Sequence, residues 1–331
     1  MIDWLRRVIP RPEYRTVWVA TALLFLASLI LAPRSVTSGA IVATMSFAAV
    51  LMVISAGQTL AIQQKGLDLS VPGIVTLSAM FLPTLIAKTG VSLGVAVMAT
   101  LAVGAVVGFV NGLLVTRVGI TPLIVTLAMN TILVGVLLTF TNRLPSANAP
   151  QELVAFMSAR PLGVPIAFLL AVGYVLLIAL VMSRTTVGRR FVASGSNQAV
   201  ARAAGINVEA NIVGSYVMSG LSASLGAILL IGYVQAATVT IGAEYMFTSI
   251  AAVVIGGTSF AGGRGSVVAT AVGAVFLTQL SQLLLTAGAP TSVRLLAQAL
   301  AIAVAVALRT LPQLIRGRDR RSPRRAVPTR A

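Results

Sequence analysis

The chain is a succession of apolar stretches, at about 16–32, 38–61, 69–87, 92–115, 121–141, 163–183, 212–234, 245–261, 266–286 and 292–308, joined by short polar links. A helix needs about 20 apolar residues to cross the roughly 30 Å hydrocarbon core of a bilayer. Inside that core every backbone N–H and C=O must be satisfied within its own segment or a closed barrel, so apolar runs of this length become helices. The expected fold is all-α, a polytopic helical membrane protein of about ten transmembrane helices. A hydrophobic fraction of 57%, a charged fraction of 9% and a mean hydropathy of +0.98 exclude a soluble core. The expected divisions are a basic N-terminal segment at 1–15, a transmembrane domain at 16–311 and a basic, disordered tail at 312–331. Arg6, Arg7, Arg11 and Arg15 ahead of the first run read as an uncleaved signal anchor. The alternative, a cleaved signal peptide, has an overlong apolar region and a poor cleavage site at Leu31-Ala32-Pro33.

The longest polar interruption is 184–211, with Arg184, Arg189, Arg190 and Arg202 against the single acid Glu209. Arg-rich short loops face the cytoplasm, because guanidinium groups are costly to move across a bilayer. With this loop inside, ten crossings put both termini in the cytoplasm. All 24 basic residues then lie inside except Arg34, Lys88, Arg143, Arg160 and Arg294. The net charge of +17 therefore belongs to span ends and to a tail held near anionic lipid, and no aromatic-interleaved patch points to nucleic acid. Within the loop, Ser196 reads as the N-cap of a short helix that Gly205 stops, with Gly195 permitting the turn into it and Asn197 presenting an amide at its start. Such a helix is either a docking device or an amphipathic segment resting on headgroups.

The chain has no Cys and no His, which removes thiolate and imidazole chemistry and nearly every transition-metal site. No catalytic residue and no metal ligand is assigned. A nucleotide-binding P-loop needs Gly-Lys-Ser/Thr, yet Lys65 and Lys88, the two lysines, follow Gln64 and Ala87. Any ATP and Mg must sit on another chain. Asp68 and Glu244 are the two acids at or near membrane depth, and each precedes a short, broken apolar stretch; paired interrupted segments mark translocation regions in transporters. A carboxylate at a helix N-terminus is also stabilised there in any protein. Gln58, Ser70, Asn111, Thr126, Asn130 and Thr258 join Asp68 and Glu244 as candidate path residues, interhelical hydrogen bonding being the commoner use of such groups. Gly104, Gly108 and Gly112, with Gly256, Gly257, Gly262, Gly263 and Gly265, are candidates for close helix packing.

The run Thr186, Gly188, Arg189, Ala193, Gly195, Asn197, Ala203, Gly205 and Ile206 resembles the coupling loop of bacterial ATP-binding-cassette (ABC) importer permeases for ribose, galactose, xylose and autoinducer-2. Further similarity lies in Gly66-Leu67-Asp68-Leu69-Ser70-Val71, Asn111-Gly112-Leu113-Leu114-Val115, and Ile250 to Ser259 followed by Gly262-Gly263-Arg264-Gly265-Ser266. Lys65 and Pro72 stand where that pattern usually has glycine. The resemblance implies a permease subunit of the bacterial inner membrane, importing a monosaccharide-like solute and lacking an ATPase site of its own. It implies as partners a cytoplasmic ABC ATPase, a periplasmic or lipoprotein solute-binding protein, and a second permease copy or a homologous permease. ATPase coupling would fall to Gly188, Arg189, Gly195, Asn197, Ala203, Gly205 and Ile206. The rivals are a branched-chain amino acid or nucleoside permease of the same class, an ion-coupled carrier, and, least supported, a membrane enzyme.

Charge asymmetry sets a test in this cysteine-free chain. Ser196→Cys should be labelled by an impermeant thiol reagent only from the cytoplasmic side, and Ala147→Cys only from outside. Labelling of both from one face removes the alternation of links.

Overall fold

The computed structural model describes residues 14–141 and 146–319. The N-terminal arginines before Tyr14, Arg143, expected outside, and the tail beyond Asp319 lie outside the described residues. Helix α1 (Arg15–Leu31) leads through a short 3-10 turn to α2 (Ser38–Gln63), α3 (Val71–Thr89), α4 (Leu93–Leu113) and α5 (Pro122–Phe140). Strand β1 (Ser146–Asn148) and α6 (Gln151–Ser158) precede α7 (Ile166–Arg184), and two short helices follow, α8 (Thr186–Ser196) and α9 (Gln198–Ala203). Then come α10 (Val208–Val234), β2 (Ala236–Thr238), α11 (Tyr245–Gly256), α12 (Val267–Thr286) and α13 (Thr291–Asp319).

By length and composition, seven described helices can cross a membrane: α2, α3, α4 with its continuation to Val118, α5, α7, α10 and α12. Three shorter apolar helices accompany them, α1, α11 and the Thr291–Val304 part of α13. The chain is a multi-pass helical membrane protein. Helix starts follow the expected chemistry where polar caps exist: Ser266 Oγ accepts from Ala269 N–H, and Asn207 Oδ1 from Ala210 N–H. At the other ends Gly90, Gly119 and Gly257 take left-handed backbone, which lacks a steric cost only for glycine. The eighth apolar stretch, read as 245–261, is corrected by this last cap. Gly257 turns the chain at φ 99°, so α11 stops at Gly256.

Burial separates centre from periphery. In their most apolar parts α3, α10 and α2 are 72, 67 and 61% buried, whereas α5 and α7 are only 22% buried and show Ile124, Ile132, Leu176 and Leu177 to the outside. Helix α10 is the hub. A Cβ on Gly104 would overlap Ser224 Oγ and the Gly220 carbonyl, one on Gly108 the Tyr216 carbonyl, and one on Gly112 the Val213 backbone, so the glycine face of α4 lies directly on α10. Gly57 of α2 meets Ser219 and Ser222 of the same helix. Hydroxyl pairs cross these contacts, Ser78 with Ser224 at 2.8 Å, Tyr174 with Ser222 at 2.6 Å and Thr59 with Thr270 at 2.9 Å.

The links gather at two ends. At one, Gly263 N–H donates to the Gln63 carbonyl and Arg117 pairs with Glu209 at 3.3 Å, which joins the 63–70, 114–121, 184–211 and 257–266 segments. At the other, β1 and β2 form an antiparallel hairpin-like pair with Ala147 opposite Ala237, and Lys88 Nζ donates to the Phe140 carbonyl at 2.6 Å. We call these the Arg-rich end and the strand end.

Gly108→Leu should lower the yield of folded permease at least severalfold, because its side chain must displace the Tyr216 backbone. Size-exclusion chromatography of detergent-solubilised protein measures this, and normal yield with a normal melting temperature contradicts the packing.

Candidate functional site

Three features carry chemistry beyond packing, and the first is the 184–211 link. It folds as two helices meeting at an angle over Ser196-Asn197. Thr185 caps α8 by accepting from Gly188 N–H at 3.2 Å. Asn197, in extended backbone, caps α9, its Oδ1 accepting from Ala199 and Val200 N–H at 3.1 and 3.2 Å. This corrects the expectation of a Ser196 N-cap: Ser196 is the last residue of α8 and its hydroxyl bonds back to the Val192 carbonyl. Gly195 is corrected as well. Its backbone is helical, and what demands glycine is proximity, since a Cβ would overlap the Gln63 carbonyl and press on Gly263 N. Gln64 completes the seat, donating to the Phe191 carbonyl at 2.8 Å and accepting from Ser194 Oγ at 3.1 Å. Gly262 and Gly263, both at positive φ, pass under Gly195 and Ser196. Helix α8 is thus fixed to the core by backbone contact, while α9 holds Val200 and Ala203 outward. Gly188 is buried against Met182, Arg189 is exposed, and Gly205 ends α9 at φ 74° ahead of Ile206.

The second feature is a polar node at the start of α3. Asp68 is 2% exposed; its Oδ1 accepts from Ser70 N–H at 3.0 Å and Ser70 Oγ at 2.5 Å, and Ser70 Oγ accepts from Asn111 Nδ2 at 2.9 Å. Thr126 Oγ1 reaches the Leu67 carbonyl at 3.3 Å. The link between α2 and α3 is thereby tied to α4 and α5. Ser219 of α10 stands on the other side of the carboxylate; burial pushes the Asp68 carboxyl up, and the Ser70 and Ser219 hydroxyls draw it back. Lys65, where the family resemblance leads one to expect glycine nearby, holds φ 63°, a left-handed conformation that L side chains adopt at some cost.

The third is the start of α11. Its 12 residues rise about 18 Å, too little to cross a bilayer core alone. The segment after β2 folds back into the bundle, where Gly242 N–H donates to Thr76 Oγ1 of α3 at 3.1 Å. The reading of α3 as short and broken is corrected: it is one continuous 19-residue helix long enough to cross, because Pro72 sits in its first turn, and only α11 is short; the segment leading into α11 meets α3 at Thr76 inside the protein. Glu244, exposed, opens on a cavity of about 260 Å³ between α2, α11, α12 and α13, together with Arg294, Gln282 and Gln298.

The structure brings Asp68, Ser70, Asn111 and Thr126 into one node and puts Glu244 elsewhere, at the strand-end cavity. Thr258 lies beside Gly265 and Gln63 at the Arg-rich seam. Gln58 is fully buried on α2 with neither amide atom bonded among the described residues, and Asn130 sits against Gly73 of α3. Gly256 abuts the Thr270 backbone of α12. The sequence reading missed Gln63 and Gln64 as the seat of α8, and it missed Arg294, Gln282 and Gln298. The available signal was amide side chains within or against apolar stretches.

These features define a class: a helical membrane permease with a rigidly seated extramembrane helix pair at one end and a polar cavity entering from the other. Residues 40–308 match the family described as branched-chain amino acid transport system / permease component, and the chain belongs to that family. It is 36% identical over 259 residues to the ribose import permease protein RbsC of Escherichia coli K12, covering 77% of this chain and 80% of that protein. It is 32% identical over 272 residues to the autoinducer 2 import system permease protein LsrC of Escherichia coli K12 / DH10B, covering 81% and 78%, and 31% over 241 residues to LsrD of Photorhabdus luminescens, covering 71% and 72%. No solved structure matches. The chain is a permease subunit of an ABC importer.

Asn111→Ala removes the donor to Ser70 and leaves buried partners unpaired, a loss of about 1–3 kcal/mol. Thermal unfolding of the purified permease should shift down by several degrees, and an unchanged midpoint contradicts the structural role of the node.

Proposed function

We propose that this chain is a permease of the bacterial inner membrane that moves a monosaccharide-like solute inward, driven by a separate cytoplasmic ABC ATPase. In this reading the Arg-rich end is cytoplasmic and the three shorter apolar helices complete ten crossings, with both termini inside. Lys65, Arg117, Arg184, Arg189, Arg190, Arg202 and Arg264 at that end, against Arg34, Lys88, Arg160 and Arg294 at the strand end, support this orientation. The proposed partners are the ATPase, a periplasmic or lipoprotein solute-binding protein, and a second permease copy or homologous permease that closes the path. ATP and Mg belong to the ATPase. The solute class follows the names of the ribose and autoinducer 2 relatives.

The observation that carries the coupling role is the seating of α8 on the Gln63 carbonyl with α9 held clear of the bundle. Helix α8, tied to α2 by backbone contact, would transmit displacement to it as a rigid element. Under α9 lies a cavity of about 290 Å³ lined by Lys65, Gln198, Arg202 and Tyr216, which leaves α9 room to respond to a partner. Gly188, Arg189, Gly195, Asn197, Ala203, Gly205 and Ile206 serve this unit, Gly195 as its seat and Ala203 as docking surface. Thr258, Gln58 and Asn130 remain candidates for the path, and Asp68 with its node sets the start of α3 beside it.

Two variants separate the parts. Ala203→Glu places a charge on the exposed face of α9 and should abolish capture of the ATPase with the permease still abundant and folded. Gly195→Val should unseat α8, retaining capture at a reduced level but losing cargo-stimulated ATP hydrolysis by at least about tenfold, a coupling loss of some 1.4 kcal/mol or more. Undiminished capture and undiminished stimulated hydrolysis in both variants overturn the proposal.

A further inference from the structure

The strand-end cavity contains an arrangement that packing does not explain. It runs along α2 from Thr44 to Leu51, about 9 to 20 Å below the strand end of that helix. Glu244 reaches this depth because Gly242, two residues before it, is bonded to Thr76 in the middle of the bundle. Arg294 and Gln298 descend into the same space from the first two turns of α13, and Ser281 and Gln282 line it from α12. Glu244 has no ion-pair partner among the described residues, and Arg294, which also lines the cavity, is not within pairing distance of it. Arg294 donates from Nη2 to Thr291 Oγ1 at 2.9 Å, and its Nε is buried without a hydrogen-bond partner; Thr44 Oγ1 is buried and unpartnered as well. Gln298 Nε2 donates to Ser281 Oγ at 2.7 Å, and Phe47, 42% exposed, is held edge-on by Tyr233 at 5.2 Å.

A carboxylate and a guanidinium at this depth are costly neighbours for acyl chains, which points to a polar, water-accessible cavity. Its size lies just below the roughly 300 Å³ at which small-molecule sites begin. One acid and one base held apart give the wall no net charge, so an anion or a cation gains from one group what the other takes away. A neutral ring carrying several hydroxyls satisfies all of it. Adjacent hydroxyls donate to the Glu244 carboxylate and accept from Arg294, amides of Gln282 and Gln298 serve either way, and the C–H face of the ring meets Phe47. We propose that the permease itself has here a recognition site for a neutral polyhydroxy ring, with Glu244 and Arg294 as its specificity-determining pair. This rests on the importer reading above, and it adds selection by the permease to any selection upstream.

The absence of cysteine from the chain makes the test direct. Full-length permease in membrane vesicles, without ATP, carries Gln298→Cys and is treated with an impermeant thiol reagent from the strand-end side. The cysteine should react, and D-ribose as the probe should slow the reaction at least about threefold while L-leucine leaves it unchanged, as occupancy of a single site requires. Adding Glu244→Gln and Arg294→Gln to this background should remove the protection and keep the labelling. If Gln298→Cys fails to fold through loss of the Ser281 contact, Thr278→Cys on α12 gives the same measurement. No labelling, labelling that ribose does not slow, or protection by leucine alone each overturns the proposal, the last by identifying a zwitterion site. ATPase capture plays no part in this measurement. Protection with failed capture leaves the site standing without the importer, and capture without protection does the reverse.

Discussion

The close approach of neighbouring backbones to α10 is the contact on which the remaining architecture depends. In lipid, apolar side chains gain nothing by leaving one hydrocarbon surface for another, so helices associate through dispersion contacts and hydrogen bonds that small residues make possible. Gly104, Gly108 and Gly112 from α4 press on one face of α10, along Val213, Tyr216, Gly220 and Ser224, and Gly57 from α2 presses on another, at Ser219 and Ser222. The serines at these contacts, Ser219 and Ser222 towards α2 and Ser224 towards α4, are small enough to admit the glycines, and Ser222 and Ser224 bond across to Tyr174 and Ser78. With α10 held at that distance, the α2–α3 link is brought against Tyr216 and Ser219, and the Asp68 node closes over it. Helices α3 and α11 take their positions from this centre, α3 through its node and α11 through Gly242 and Thr76.

Much of this was legible in the residues. Apolar length gave the helices, and Gly205 was read as the stop of the short helix that the structure ends just before it. The GxxxG spacing on α4 pointed to a packing face, although nothing in it says which helix lies opposite. The signals failed where two distant segments decide the outcome. Ser196 is a good N-cap by type, but Asn197 has the extended backbone that lets a side chain turn back onto N–H groups, and the seat on Gln63 fixes which of the two adopts it. Gly195 carries no local sign that its partner is a carbonyl more than a hundred residues earlier. The β1–β2 pairing is three residues on each side, without alternation, and α6 lies in the link between the fifth and sixth apolar stretches, where no helix was expected. The polar candidates were found by type and depth, and the fold distributes them among a node, a seam and a cavity, because a helix face points one way at each position.

The two ends of the molecule differ in a way that suits alternating function. At the Arg-rich end the links are tied together by main-chain contacts, Gln63 to Gly263 and to the α8 backbone. At the strand end the space between α2, α11, α12 and α13 remains open and polar. In the proposed coupling role a push on α8 would be delivered to α2, and α2 carries Thr44 and Phe47 at the cavity wall. Input and output would then share one 26-residue rod, without a chain of intermediate side chains between them.

The pairing of β1 with β2 also sets an order of events during synthesis. Five helices, α6 to α10, separate the two strands, and the strand end cannot be tied until α10 has passed into the membrane. The same helix supplies the surface that the glycines of α2 and α4 need. Until it arrives, the spans made first have inserted without the partner that holds them together, their glycine faces turned to lipid. Insertion and packing are therefore separated in time. The first half of this chain is a set of stored helices, and the permease domain assembles late, around the sixth of its long helices.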